Sequence, residues 1–180
     1  MKNRVLQWGQ ERLFTHLFKD EKKAVFEKLD QLENALYSLQ YEGKIFSSSH
    51  INKAEEAVRF LEHKYAGHIK LDDCIIFPFL EKHIPRLSSV LLYLKAERRE
   101  FQEGFKVFER TLSELKKGNQ DIIRYNLIAR LKDKGIYLIS LIRSHIQLEE
   151  QSVYESITRE LHQDERNALI EKIMKEAGQL

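Results

Sequence analysis

The sequence predicts an all-α protein: an antiparallel up-down four-helix bundle of two repeated helical hairpins, with a short additional helix at the C-terminus. Three observations indicate this fold class. The 180 residues include only two prolines and seven glycines, so the residues that punctuate sheets and tight turns are scarce. Hydrophobic residues make up 42% and charged residues 32%, which suits long helices with one buried stripe and a charged outer face. Apolar residues recur at helical spacing along four long segments, which we expect to form a single domain over residues 1–180.

The first hairpin is expected to consist of two long helices. The first helix runs over residues 3–40, and segment 41–50 has the residue types of a connection. The second helix is expected to begin within residues 49–52, where Asn52 and Glu55 are spaced for a capping box.

Proline and glycine give the remaining boundaries. Pro78 should kink or end the second helix, which otherwise continues toward Pro85, because proline has no amide hydrogen to donate. The pair Gly118-Asn119 is a stop signal for the third helix, and Gly135 is tolerated inside the fourth at some cost in helix stability. The predicted helices of this half cover residues 86–117, 120–161 and, in the short tail, 164–177.

Charge and cysteine content limit the classes of partner. Lys and Arg total 30 against 28 Asp and Glu, so the formal net charge of +2 gives no electrostatic signal for nucleic acid or anionic membrane. No stretch approaches the roughly 18 apolar residues of a membrane-spanning helix. Cys74 is the single cysteine, which excludes an internal disulfide and favours a reducing compartment. We therefore expect a soluble, cytoplasmic protein.

An internal repeat is the most informative feature of the sequence. An acidic-basic pair on helix one recurs on helix three, each time followed by apolar residues at the same helical spacing. A histidine followed four residues later by two acidic residues occurs on helix two and again on helix four. The separation between the basic residue and the histidine differs by only one residue between the two halves. The repeated positions are Glu21-Lys22, His68-x-x-x-Asp72-Asp73, Glu97-Arg98 and His145-x-x-x-Glu149-Glu150.

This spacing predicts a polar cluster in the interior of the bundle. A histidine and a carboxylate four residues apart lie on one face of a helix, and the basic residues occupy positions of the buried stripe. Because isolated buried charges are costly, these side chains must pair with one another or bind an ion. Glu21, Tyr65 and Glu97 are candidates for hydrogen bonds to the cluster. We call the following six residues the central cluster: Lys22, His68, Asp72, Arg98, His145 and Glu149.

These motifs resemble those of the hemerythrin-like (HHE cation-binding) family over about residues 10–160. The segment 68–78 is similar to the second-helix motif of that family, His-x-x-x-Glu-Glu followed by Leu-Phe-Pro. The segment 145–150 is similar to the fourth-helix motif, although Tyr154-Glu155 stands where Phe-Pro is usual. Helices one and three of the family typically carry Glu-His, whereas this chain has Glu-Lys and Glu-Arg.

The resemblance implies a four-helix bundle with a non-haem di-iron centre held by inward histidines and carboxylates. His68, Asp72, His145 and Glu149 match ligand positions of the family. Lys22 and Arg98 stand where the remaining two histidine ligands are expected.

Two hypotheses follow from this departure. Lysine and arginine donate hydrogen bonds but offer no acceptor, so neither replaces an imidazole ligand. In the first hypothesis the chain holds no metal and no cofactor, and a buried ion-pair network replaces the di-iron site of a regulatory, sensory or interaction module with an unknown protein partner. In the alternative, the basic side chains point outward and the matched ligands hold non-haem iron for oxygen sensing, redox sensing or iron handling: His68, Asp72, His145 and Glu149.

Enzymatic turnover is not expected. The sequence has no glycine-rich phosphate loop and no serine or cysteine nucleophile motif. The identity of the partner and the oligomeric state are left open by the sequence.

Overall fold

The computed structural model describes the backbone of residues 2–41, 47–117 and 121–177, and the side chains of residues 22–41, 48–64, 66–117 and 123–176. All regular structure within these ranges is helical, so the all-α prediction is confirmed. Within the same ranges, every helix is too short or too polar to cross a lipid bilayer. The α-helices are α1 (Lys2–Tyr41), α2 (Ser47–Leu71), α3 (Phe77–His83), α4 (Ser88–Lys117), α5 (Asp121–Leu148), α6 (Glu155–Glu160) and α7 (Gln163–Ala177).

Two of the helical paths are interrupted by π-helical segments. Asp72–Ile76 joins α2 to α3, and Glu149–Tyr154 joins α5 to α6. The flanking residues Leu71 and Phe77 keep right-handed helical dihedral angles, so the chain direction is maintained through the first of these segments. The second and fourth long helices expected from the sequence are therefore each divided into two α-helices by a π-helical turn.

Pro78 does not end the helical path, which was one of the two outcomes, a kink or an end, predicted from its position. It lies in the first turn of α3, where its missing amide hydrogen is tolerated. The path ends instead at Ile84, whose dihedral angles of −133° and 71° are not helical. A 3₁₀ turn over Pro85–Leu87 then leads into α4.

The long helices pack side by side around two apolar clusters. α1 contacts α2 and α5, α4 contacts α5, and α2 also contacts α4. One apolar cluster contains Leu29, Leu61, Phe101 and Phe108 among its buried residues. The other cluster includes Phe77, Leu80, Leu91 and Val153, and α7 contributes Leu169 and Ile173 to it. The polar residues of α2, α4 and α5 that the sequence singles out fall between these clusters along each helix.

Gly135 allows α5 to approach its neighbours closely. A Cβ atom added at this position would lie 2.3 Å from Leu36 Cδ1 and 2.9 Å from Phe108 Cε2, both in the buried core. The low helix propensity of glycine is therefore offset by the packing that the missing side chain permits.

Candidate metal centre

The polar residues between the two apolar clusters form what we call the polar layer. Arg98 lies at its centre and is almost completely buried. Its Nη2 donates hydrogen bonds to Asp72 Oδ2 and, at 3.3 Å, to Glu149 Oε1. Its Nη1 donates to Asp73 Oδ1 at 2.8 Å. The guanidinium carbon lies 4.3 Å from the centroid of the Phe77 ring, within the range of a cation-π contact. The buried guanidinium group of Arg98 is thus held by three carboxylates and the face of an aromatic ring.

His68 shares the two buried carboxylates with Arg98. Its Nε2 lies 3.1 Å from Glu149 Oε2 and 3.3 Å from Asp72 Oδ2. Each carboxylate therefore faces two positively charged or protonatable groups. The i, i+4 spacing of His68 and Asp72 on the second helical path produces one of these contacts directly.

Three side chains form a group whose geometry could hold a metal ion. One potential ligand atom from each of His68, Asp72 and Glu149 lies within 4.8 Å of the other two. Asp72 Oδ1 is buried and accepts no hydrogen bond from the residues that the structure describes. A buried carboxylate oxygen with this unused capacity fits a cation ligand, because an unsatisfied buried acceptor is otherwise costly. We call these three residues the ligand triad.

His145, which matches the family's ligand position on helix four, lies outside the ligand triad. Its ring is fully buried, and Nδ1–H donates a hydrogen bond to Glu97 Oε2 at 2.9 Å. Tyr93 in turn donates its hydroxyl hydrogen to Glu97. The ring also meets Phe101 edge-on, with centroids 5.0 Å apart. Because Nδ1 contacts a carboxylate, ligation by His145 would use Nε2.

Lys22 lies at the edge of the polar layer, whereas the sequence had led us to expect it in the centre. Its side chain is 35% exposed and pairs with Glu150, which is 52% exposed. A lysine can keep its stem against the protein while its ammonium group reaches solvent, whereas Arg98 remains inside. The two basic residues of the repeat therefore occupy different environments.

The acidic residue after each buried carboxylate takes part in the site, which the sequence interpretation did not include. Asp73 accepts a hydrogen bond from Arg98, and Glu150 pairs with Lys22. The signal was present in the sequence, since both halves of the repeat carry two consecutive acidic residues. Among the three proposed supporting residues, Glu97 contacts His145. The side chains of Glu21 and Tyr65 lie outside the described ranges.

Both π-helical segments begin at a buried carboxylate. Asp72 is the first residue of one segment and Glu149 is the first residue of the other. π-helical turns are rare and are frequently found at functional sites. Their coincidence with both halves of the repeat favours a functional role for these positions.

Burial and neighbouring charges shift the pKa values of the site residues in opposite directions. Burial opposes the charged form of His68, but attraction to Asp72 and the hydrogen bond to Glu149 prevail and raise its pKa to about 9. Burial likewise opposes ionisation of Glu149, yet the hydrogen bond and charge of His68 lower the Glu149 pKa to about 2. Burial and repulsion from Glu149 raise the pKa of Asp72. Burial lowers the pKa of His145, so its imidazole is neutral near pH 7, the state required of a metal ligand.

The long helices thus place one half-buried histidine and two buried carboxylates between the two apolar clusters. The family model of the hemerythrin HHE cation binding domain matches residues 13–157. The chain belongs to this family, and the resemblance seen in the sequence is confirmed. Neither the curated proteins nor the solved structures contain a significant match to the chain.

Membership of this family corrects one expectation. The first hypothesis from the sequence stated that the chain holds no cofactor, and this is wrong because the matched domain is a cation-binding domain. The ligand triad offers donors for such an ion within the described residues.

The raised pKa of His68 predicts a loss of stability at alkaline pH in chelator-treated protein. A pKa raised above the unfolded value of about 6.5 gives a stabilisation that is fully present below that pH and is lost as pH rises through about 9. The free energy of unfolding, measured by urea denaturation, should fall by roughly 3 kcal/mol between pH 6 and pH 10. In His68→Gln this component should be absent, and an equal fall in both proteins would contradict the assignment.

Proposed function

We propose that this chain is a hemerythrin-like protein that holds a single divalent cation with His68, Asp72 and Glu149 and acts as a non-catalytic sensory or regulatory module. The observation that carries the proposal is the ligand triad, three buried or half-buried side chains with ligand atoms within 4.8 Å of one another. One imidazole and two carboxylates are a donor set that suits ferrous, manganous or zinc ions. A bound iron would supply one-electron redox chemistry, while zinc would supply a Lewis acid.

The two basic residues of the repeat favour a site for one metal ion over a site for two. Lys22 and Arg98 stand where the family typically has histidines, and neither offers a lone pair to a metal. Arg98 bridges Asp72 and Glu149, so its guanidinium supplies positive charge where a second metal ion would otherwise be needed. The ion-pair network and the cation site are then parts of one arrangement, with the guanidinium in the place of one ion.

We propose the antiparallel up-down arrangement of the four long helical paths. The contacts from α1 to α2, α2 to α4, α4 to α5 and α5 back to α1 form a closed circuit of neighbours. Short connections between such neighbours favour antiparallel directions. The cytoplasmic location, the protein partner and the extent of the domain over residues 1–180 stay predictions from the sequence.

Metal analysis tests the proposed function. Protein treated with chelator and reconstituted anaerobically with Fe²⁺, or separately with Zn²⁺, should retain about one ion per chain after gel filtration. His68→Ala and Glu149→Gln should each lose most of this ion, because each removes a ligand. Lys22→Met should retain it, since Lys22 pairs with Glu150 and lies over the Phe26 ring instead of contacting the ligand triad. Two ions per chain, or none, would overturn the single-cation proposal.

A further inference from the structure

We propose that Arg98 sets the charge selectivity of the cation site, so that the site retains divalent ions and rejects trivalent ions. The inference rests on the proposed cation site and names the residue that determines which ions it accepts. It follows from the charges that surround the ligand triad.

Arg98 lowers the negative charge available to a bound ion. Asp72 and Glu149 each contribute one negative charge when they ligate, and His68 ligates as a neutral imidazole. The guanidinium of Arg98 contacts both carboxylates and cancels one of these charges. Counted over the ligand triad and Arg98 alone, a divalent ion then leaves one excess positive charge, whereas a trivalent ion leaves two. Asp73 offsets this charge only weakly, because its side chain is 44% exposed and screened by solvent.

The positive charge of Arg98 is held in place. Its side chain is 3% exposed, donates to Asp73 on its outer side and lies against the Phe77 ring. Leaving the layer would require the guanidinium to give up these contacts as well as those to the ligand triad. We therefore expect Arg98 to remain beside the ion and to act on it through its charge.

The size of the effect follows from Coulomb's law. At a separation of about 4 to 6 Å and an effective dielectric constant of about 20, the guanidinium charge should weaken binding of the ion by roughly a hundredfold to a thousandfold for each unit of charge that the ion carries. The penalty on a trivalent ion exceeds that on a divalent ion by this same factor, because the ions differ by one unit of charge.

The internal repeat supplies a matched control for this effect. Lys22 occupies the position equivalent to Arg98, but its side chain is 35% exposed and paired with Glu150. Its charge is screened and compensated at the edge of the layer, so removing it should leave the selectivity unchanged.

The experiment follows iron through a change of oxidation state. Wild-type protein is loaded anaerobically with Fe²⁺, oxidised with ferricyanide, passed through a gel-filtration column and analysed for iron per chain. Wild type should lose most of its iron on oxidation, and a sample loaded with Zn²⁺ should keep its zinc under the same treatment. Arg98→Gln should retain the oxidised iron, with the ferric-to-ferrous affinity ratio raised at least tenfold. Arg98→Lys, which keeps the charge, and Lys22→Gln should behave as wild type.

Each outcome bears on one of the two proposals. Full retention of ferric iron by the wild type overturns the selectivity role of Arg98. This result is obtained on the wild-type protein and does not depend on whether any variant folds. An unchanged affinity ratio in folded Arg98→Gln overturns it as well. A wild-type protein that takes up neither Fe²⁺ nor Zn²⁺ overturns the proposed cation site itself.

Discussion

Arg98→Met is expected to lower the free energy of unfolding of the chelator-treated protein by about 3–5 kcal/mol, as is typical when one partner of a buried ion pair is removed. The change leaves Asp72 and Glu149 buried close together, with His68 as the remaining ion-pair partner of both among the residues that the structure describes. Methionine keeps much of the length of the arginine side chain, so the loss arises from charge and hydrogen bonding more than from a cavity. Urea denaturation at pH 7 gives the measurement.

Lys22→Met is the control for this stability effect. The exposed pair that Lys22 forms with Glu150 should contribute no more than about 1 kcal/mol. From the sequence both basic residues were expected in the core, and the structure assigns that environment to Arg98. Equal effects of the two substitutions, large or small, would contradict the difference in environment. Addition of Zn²⁺ to Arg98→Met should restore part of the lost stability, because the ion replaces positive charge between the carboxylates.

The double variant Lys22→His with Arg98→His is expected to gain a second divalent ion. It places an imidazole at each position where the family typically has one and removes the positive charges of Lys22 and Arg98. Free ion at one hundred times the dissociation constant of the new site should stabilise the variant by roughly 2.7 kcal/mol. Metal analysis gives the stoichiometry, and the melting temperature should rise with metal concentration.

The dependence of this gain on pH separates ligation from unspecific binding. Imidazole ligates only when neutral, so the stabilisation by Zn²⁺ should grow as pH rises through the histidine range. The single variants, each with one imidazole restored, serve as controls and should gain less affinity than the double variant. A folded double variant that still binds one ion per chain would show that positions 22 and 98 are not equivalent to ligand positions.

The helical framework could be predicted because its signals are local. The first helix was expected over residues 3–40 and is observed over Lys2–Tyr41, and α4 ends at Lys117 just before the predicted stop signal. The start of α2 was less predictable. The helix begins at Ser47, and Glu55 pairs with Lys116 and Arg59 instead of capping the first turn. A possible cap is a local pattern, whereas the partner that Glu55 finds depends on the neighbouring helix.

The composition of the polar layer could be predicted from the repeat, but its asymmetry could not. Lys22 and Arg98 occupy equivalent positions with the same charge, so the pattern treats them alike. The structure separates them because the planar guanidinium lies over the Phe77 ring and donates to three carboxylates at once. Lysine carries a compact, strongly hydrated charge that is costly to bury and more easily kept at the surface. Such a difference depends on the tertiary surroundings of each position.

The paired π-helical segments have a consequence for how the two hairpins compare as backbones. A π-helical turn bonds residue i to residue i+5 instead of i+4, so each segment changes the register of the side chains along its helix. Both changes begin at the acidic residue that follows the histidine by four positions, once in each hairpin. The two hairpins therefore repeat a backbone irregularity as well as a sequence motif.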